Sequence, residues 1–368
     1  MDPKIVRSSE ENGVYEFTLS GVNVSLANAI RRTILSDIPI NVIKTDSYES
    51  NECNITINTS RLHNEILKQR LSCIPIHIKE LELLPGKYIL EVDMKNDTDT
   101  TIYVTTEHFK IKNKTNDNYL TEEETRKIFP PSMSKTNMFI DFARLRPKIG
   151  TTIPGEHIKL TAEFSISNAK YNSMYNVVSK CSYGNTLDIV KGNAAWEQIE
   201  DTLKSENKTK EEIEFEKRNF DLLDRQRYFK EDSFDFIITT LGIYENRDLV
   251  RKACVILQKK VLELIEGLDS DTVPINISET TMDHCYDVVL ENEDYTIGKV
   301  LEYILYERYF VKEKLFSFCG FKKFHPHNID SIIRIAYFDN TDKNTLRQHL
   351  RSVCVDASDF FKKLYEMF

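Results

Sequence analysis

Apolar positions in this chain change period several times, and each change marks an element. Residues 4–20 alternate in the manner of a hairpin, with Asn12-Gly13 as a two-residue turn and Val14, Tyr15, Phe17 and Leu19 as strand formers after it. From about Ser25 to Asp37 the spacing lengthens to that of a helix: Leu26, Ile30 and Ile34 lie four apart, Ser25 is the expected N-cap and Pro39 stops the run. Ala27 and Ala29 leave room for another helix to come close. Residues 40–60 read as extended and 61–73 as an amphipathic helix ended before Pro75, and strands and loops dominate from 76 to about 185. Between 200 and 232 charges are dense and apolar positions few, which predicts a solvated helix or a mobile insertion.

The last third has a different rhythm. FDFIITTLGIY (234–244) predicts a strand, and Val250, Ala253, Leu257, Val261, Leu264 and Leu268 place one apolar seam on a long helix after it. A strand-like stretch at 273–292 precedes a second helix at 296–309. Two strands, about 312–321 and 331–338, then lead into a helix carrying Leu346, Leu350, Val353, Ala357, Phe360, Leu364 and Phe368. Each long seam needs a partner surface, and their matching length predicts helix-on-helix packing between two halves of the molecule. The fold class is α+β.

An internal repeat orders these elements. VYEFTLSGVNVSLANAIRRTIL (14–35) aligns without gaps with CYDVVLENEDYTIGKVLEYILY (285–306). Tyr15 meets Tyr286, Leu19 meets Leu290, Ser25 meets Thr296, Leu26 meets Ile297, Ala27 meets Gly298 and Ile30 meets Leu301. Each copy reads strand, cap, helix, a unit that buries its apolar face against its twin. The residues assigned to that internal dimerisation are Leu26, Ala27, Ile30, Ile34, Ile297, Gly298, Leu301, Ile304, Leu350 and Phe360.

Composition narrows the function classes. The 368 residues carry 49 Lys+Arg against 58 Asp+Glu, a net charge of −9 that opposes coating nucleic acid by charge alone. No apolar run approaches the ~20 residues of a membrane span, and MDPKIVRSSEENG has no signal-peptide core. Seven scattered cysteines suit a reducing, intracellular setting. None forms a CxxC pair; His63 and His77 flank Cys73, and His325-Pro-His327 is the tightest histidine pair, short of a zinc site in each case. His63-Asn-Glu65 lacks the PCxxC that a zinc deaminase requires. Gly150 and Gly155 have the glycine spacing of a phosphate loop, but Glu156-His157 follows where Lys-Ser/Thr is needed. The expectation is therefore no catalytic residue, no metal and no cofactor.

SLANAIRRTILSDIP (25–39) resembles the alpha motif of the assembly subunits of multisubunit RNA polymerases: bacterial alpha, archaeal D and the third subunit of eukaryotic RNA polymerase II. RLHNEILKQRLSCIPI (61–76) is similar to that family's second signature, and DSFDFIITTLGIYENRDLVRKACVILQKKV (232–261) to the strand and long helix that close the D-like subunit. ENEDYTIGKVLEYILYERYFV (291–311) with HPHNIDSIIRIAYFD (325–339) is similar to archaeal L and the eukaryotic eleventh subunit. The resemblance is weakest at 95–150 and 190–231. It implies a D-like dimerisation unit at 1–47 with 232–268, an insertion domain at 48–231 that includes a charged helical segment near 192–231, and an L-like unit at 269–368. Such a chain would be a non-catalytic platform, one copy per complex, binding the largest and second-largest polymerase subunits and possibly small ones, with no direct DNA binding.

By the same analogy Asn28 and the Arg31–Arg32 pair would contact the second-largest subunit. Adjacent helical positions point about 100° apart, so at most one arginine faces it, which of the two being open. Neither arginine has a carboxylate three or four positions away on its helix. Glu302 and Tyr303 replace the arginines in the second copy, so this contact does not carry over to the L-like half. The family's cysteine cluster in the insertion domain has no paired-cysteine counterpart here, and the expectation is that the separate carboxy-terminal DNA-binding domain of bacterial alpha is absent. Both partners in one polypeptide suggest a gene fusion of the kind associated with large DNA viruses, working in the host cytoplasm or virion, or in the nucleus. The competing reading is a free-standing interaction protein that borrowed the alpha fold.

Overall fold

The computed structural model describes residues 2–132, 136–150 and 152–368; Thr151, inside the stretch with phosphate-loop glycine spacing, lies outside them. The chain opens with β1 (Lys4–Glu11) and β2 (Val14–Ser20), an antiparallel hairpin. Asn12 and Gly13 turn it with φ of 51° and 77°, the left-handed pair that matches the twist of the strands. α1 (Val24–Ser36) follows. Its cap is not Ser25: the Ser25 amide donates to Asn23 Oδ1 at 2.8 Å, so the helix begins two residues earlier than the sequence suggested.

A long excursion comes next: β3 (Ile40–Val42), β4 (Cys53–Asn58), α2 (Asn64–Ser72), β5 (Tyr88–Lys95), β6 (Ile102–Thr105), β7 (Lys110–Asn113), α3 (Glu122–Ile128), β8 (Asp141–Leu145), β9 (His157–Glu163) and β10 (Ser165–Ser167). The chain returns through β11 (Val178–Leu187), α4 (Ile189–Ser205), α5 (Lys210–Leu222), β12 (Phe229–Thr240) and α6 (Asn246–Asp269). It ends with β13 (Ile275–Ile277), β14 (Cys285–Leu290), α7 (Tyr295–Leu305), β15 (Phe316–Lys322), β16 (Ser331–Tyr337) and α8 (Lys343–Met367). The architecture is α+β, as the alternation of periods led one to expect.

These elements form two compact units: one of residues 1–34, 180–239 and 246–368, the other of 35–179 and 240–245. The second is mainly β. Its sheet runs β4-β9-β5-β7, with the pairs β6-β8 and β3-β10 beside it. Leu67 and Leu71 of α2 enter one core with Leu90, Val92, Phe142 and Leu160. Arg70 of the same helix donates to the carbonyls of Asp141 and Phe142 at 2.6 and 2.7 Å, where β8 shifts register against β6.

The first unit contains the same design twice. One sheet has the order β1-β2-β12-β11 and the other β13-β14-β16-β15, so the strand of each repeat copy takes the same place in its sheet. Each sheet is followed by a long helix, and α6 packs along α8 in the most extensive helix–helix contact among the described residues. Leu257 and Val261 of α6, and Val353, Ala357 and Phe361 of α8, are buried. Gln258 bonds Ser358 across the seam and Arg351 pairs with Asp269 at its end. Phe368 packs edge-on against Phe17 at 4.9 Å and Tyr15 at 6.3 Å, tying the last residue to the first sheet.

The copies part company after their short helices. α1 ends before Pro39 and the excursion begins. α7 runs on into a π-helical turn, Tyr306–Lys312, where the sequence predicted a plain helix to 309. Arg308 pins that turn to α8 by donating to Ser352 and Asp356. The charged stretch at 200–232 is ordered too: α4 and α5 bury Trp196 against Phe220, rings 5.5 Å apart.

Candidate functional site

The residues singled out by the alpha-type motif lie on α1. Its buried face holds Leu26, Ala27, Ile30 and Ile34; Ile297, Leu301 and Ile304 of α7, and Leu350 and Phe360 of α8, are equally buried. Gly298 is fixed by its neighbour: a Cβ there would lie 2.0 Å from the Phe321 ring of β15. The first copy, with Ala27, accommodates a methyl at the same place.

The polar faces differ from copy to copy. Arg31 is half-buried and donates through Nε and Nη2 to Asn28 Oδ1 at 3.0 and 2.8 Å. That fork leaves the guanidinium oriented by an amide rather than neutralised by a carboxylate. The same two positions in the second copy hold Lys299 and Glu302, which pair at 2.5 Å. Glu302 also accepts from the Phe321 amide at 3.1 Å, so its carboxylate is committed to the edge strand β15. A face that is basic on α1 is thus balanced on α7.

Arg32 behaves differently from Arg31. Its Nη2 donates to Asp294 Oδ2 at 2.6 Å and its Nε to Thr296 Oγ1 at 2.9 Å, so it reaches across to the amino end of α7. Both ends of the ion pair are about one-third exposed, 35% and 33%. Asp294 also caps α7, its Oδ1 accepting from the Thr296 amide at 2.8 Å. Burial alone would raise the Asp294 carboxyl; the two hydrogen bonds from Thr296 and the Arg32 guanidinium outweigh it and hold the group below its ordinary value. Asp294 and Thr296 were not marked by the sequence reading. The signal was present in the repeat, since Asp294 stands where Asn23 caps the first copy.

Other chemistry-bearing residues stay apart. Among the described residues, no group of three His, Cys, Asp or Glu stands close enough to hold a metal ion. His325 and His327 are exposed. His77 is kept from protonating mainly by burial, although the Gly242 backbone bonds it. Burial pushes the thiols of Cys181, Cys254, Cys319 and Cys354 up to about 12, so none is a thiolate at neutral pH. No described helix is long and apolar enough to cross a membrane.

Comparison with known proteins places these elements in context. The RNA polymerase Rpb3/Rpb11 dimerisation domain matches residues 16–261, which take in α1, the excursion and most of α6. A stretch of 73 residues is 37% identical to the DNA-directed RNA polymerase subunit Rpo3 of Pyrococcus horikoshii, covering 20% of this chain and 25% of the relative. The Rpo3 of Pyrococcus furiosus is 36% identical over 76 residues, 21% of this chain and 26% of the relative. That of Thermococcus kodakarensis is 41% identical over 61 residues, 17% and 21%. The chain thus matches about a quarter of the length of these curated relatives.

Proposed function

Because the chain belongs to the RNA polymerase Rpb3/Rpb11 dimerisation domain family, we propose that it is the assembly platform of a DNA-dependent RNA polymerase with both dimerisation partners fused in one polypeptide. The observation that carries this reading is the second sheet of identical strand order, with its own short and long helix, within the same compact unit. In a two-chain system such a unit would come from a separate subunit. Here residues 1–47 with 232–268, joined at the sheet edge by β11, pair with 269–368, and the excursion is an insertion domain of the first partner.

The platform contributes surfaces rather than chemistry. The Asn28–Arg31 fork on α1 presents a guanidinium with no carboxylate beside it, suited to a carboxylate of the second-largest catalytic subunit. Arg32 is spent inside the platform, so of the two arginines Arg31 makes the outward contact. The L-like half faces the largest subunit with its balanced Lys299–Glu302 pair. A viral origin would account for the fusion, and the setting would be intracellular.

Affinity purification of the full chain from its native source tests this. Two very large subunits in one-to-one ratio with a single copy of this chain are expected by native mass, and Arg31→Ala should cut capture of one of them several-fold while leaving the fold intact. Recovery of a homodimer without large subunits would replace the platform with a free-standing interaction protein. A complex assembled at full yield from the Arg31→Ala chain, yet inactive in elongation, would overturn the purely structural role.

A further inference from the structure

The two copies meet head to flank, and their register makes the two ends of that meeting directly comparable. At one end Arg32 of α1 grips Asp294 and Thr296 at the start of α7. By the repeat, the mirrored end should bring the counterpart of Arg32 to the counterparts of Asp294 and Thr296. Those residues are Tyr303, Asn23 and Ser25. They are indeed neighbours: Asn23, Ser25 and Tyr303 line one cavity of about 460 Å³ together with Asn28, Glu302 and Tyr306. The backbone design at both ends is the same, with Asn23 capping α1 through the Ser25 amide as Asp294 caps α7 through the Thr296 amide, each at 2.8 Å. What differs is the bond between the halves: one end is clamped by the Arg32–Asp294 ion pair, whereas the other has no such pair and holds the Lys299–Glu302 pair of α7 itself.

We infer that the Arg32–Asp294 clamp, present at one end only, is the device that makes the first half pair with the second rather than with another copy of itself. A twofold pair repeats each contact at both ends. Two first halves would set Arg32 against Asn23 and Ser25 twice, losing the bond to Asp294 at both ends. Two second halves would set Tyr303 against Asp294 twice, leaving two half-buried carboxylates with no cation. Only the mixed pair joins Arg32 to Asp294, and its other end then buries no unbalanced charge. Both like pairs are penalised while the mixed one is rewarded, so discrimination comes from repulsion and desolvation as much as from the bond formed. Because Asn and Asp cap helices equally well, the switch between them alters charge without altering the backbone. The role of the clamp rests on the pairing proposed above, but its test uses the isolated full-length chain and no polymerase subunit, so the two readings fail separately.

The like pairs can be imitated inside the intact chain. Asp294→Asn with Tyr303→Arg gives both ends the Arg/Asn chemistry of two first halves; Asn23→Asp with Arg32→Tyr gives both ends the Tyr/Asp chemistry of two second halves. All four substitutions together move the clamp to the opposite end. Asn23→Asp with Tyr303→Arg alone gives two clamps. Urea unfolding of each full-length variant reads the result. Both imitations should raise the unfolded fraction at fixed urea by about tenfold over wild type, in line with a partly exposed ion pair and its unpaired remnants. The fourfold variant should recover most of that loss, and the two-clamp variant should unfold at higher urea than wild type. Arg32→Lys and Asp294→Asn, which disturb packing least, should each show a smaller loss in the same direction, so the outcome stands even if an imitation fails to fold. Imitations as stable as wild type, or a fourfold variant no better than the imitations, would overturn the proposal.

Discussion

The two repeat copies share an inside and differ on the outside. Leu26, Ile30 and Ile34 of α1 and Ile297, Leu301 and Leu305 of α7 are buried at repeat-related positions, because a strand–helix unit can only hide its apolar stripe in one way. The polar positions that face outward or across have diverged: Asn28 and Arg31 against Lys299 and Glu302, Arg32 against Tyr303, Asn23 against Asp294. After the helix, one copy opens into a β-rich unit and the other tightens into a π-helical turn. The contrast teaches that the fold requires the core to repeat, whereas partner choice requires the surface not to.

The comparison can be broken most forcefully from within. Ile30→Asp and Leu301→Asp place an unpaired carboxylate at equivalent buried sites, each expected to cost about 3–5 kcal/mol. Denaturant unfolding should show losses of similar size in both copies; a melt unchanged in either would mean that copy does not share the core. Gly298 and Ala27 sharpen the comparison at the next level. Gly298→Ala drives a methyl into the Phe321 ring, for a loss of about 1–3 kcal/mol from overpacking. Ala27→Gly creates no clash and should cost about 1 kcal/mol through helix propensity alone. Equal effects of the two would show that β15 yields to the methyl.

The smallest effect concerns acid. The Asp294 carboxyl is held below its ordinary value, since Thr296 and Arg32 outweigh its burial. A carboxylate depressed in the folded state contributes stability above its unfolded pKa of about 3.9, and that contribution disappears as pH falls through the folded value. Wild type should therefore lose more stability than Asp294→Asn as pH drops below about 4, by less than ~1 kcal/mol because the pair is one-third exposed. The mirrored end is capped by Asn23 rather than by a carboxylate, so Asn23→Ala should leave the acid slope as it is in wild type. A steeper slope in Asp294→Asn would reverse the sign and remove Asp294 from the account.

Much of this molecule was legible in order of chain. The Asn12-Gly13 turn, the four-residue steps of α1 and the long seams of α6 and α8 are local patterns, and local patterns report which face of an element is apolar. The ungapped repeat went further, pairing β2 with β14 and α1 with α7 before any coordinate. What it misjudged was equally local in cause. The apolar period predicts Ser25 as the cap because Asn23 sits outside it, although the short Asn23 side chain reaches the Ser25 amide as well as a serine could. The stretch at 200–232, by contrast, holds the solvated helix that its charges predict: of α5 only Phe220 is buried, against Trp196 outside the stretch.

Only the tertiary structure separated Arg31 from Arg32. Adjacent helical residues point about 100° apart, but sequence holds no record of what lies in each direction. Folding brings Asp294 to 2.6 Å from one guanidinium and leaves the other on Asn28. Apolar periodicity is written within a dozen residues, so the sequence by itself determined the elements and their repetition. The ion pair spans two elements more than two hundred and fifty residues apart, and its geometry exists only once both sheets, the α6–α8 seam and the two caps are in place.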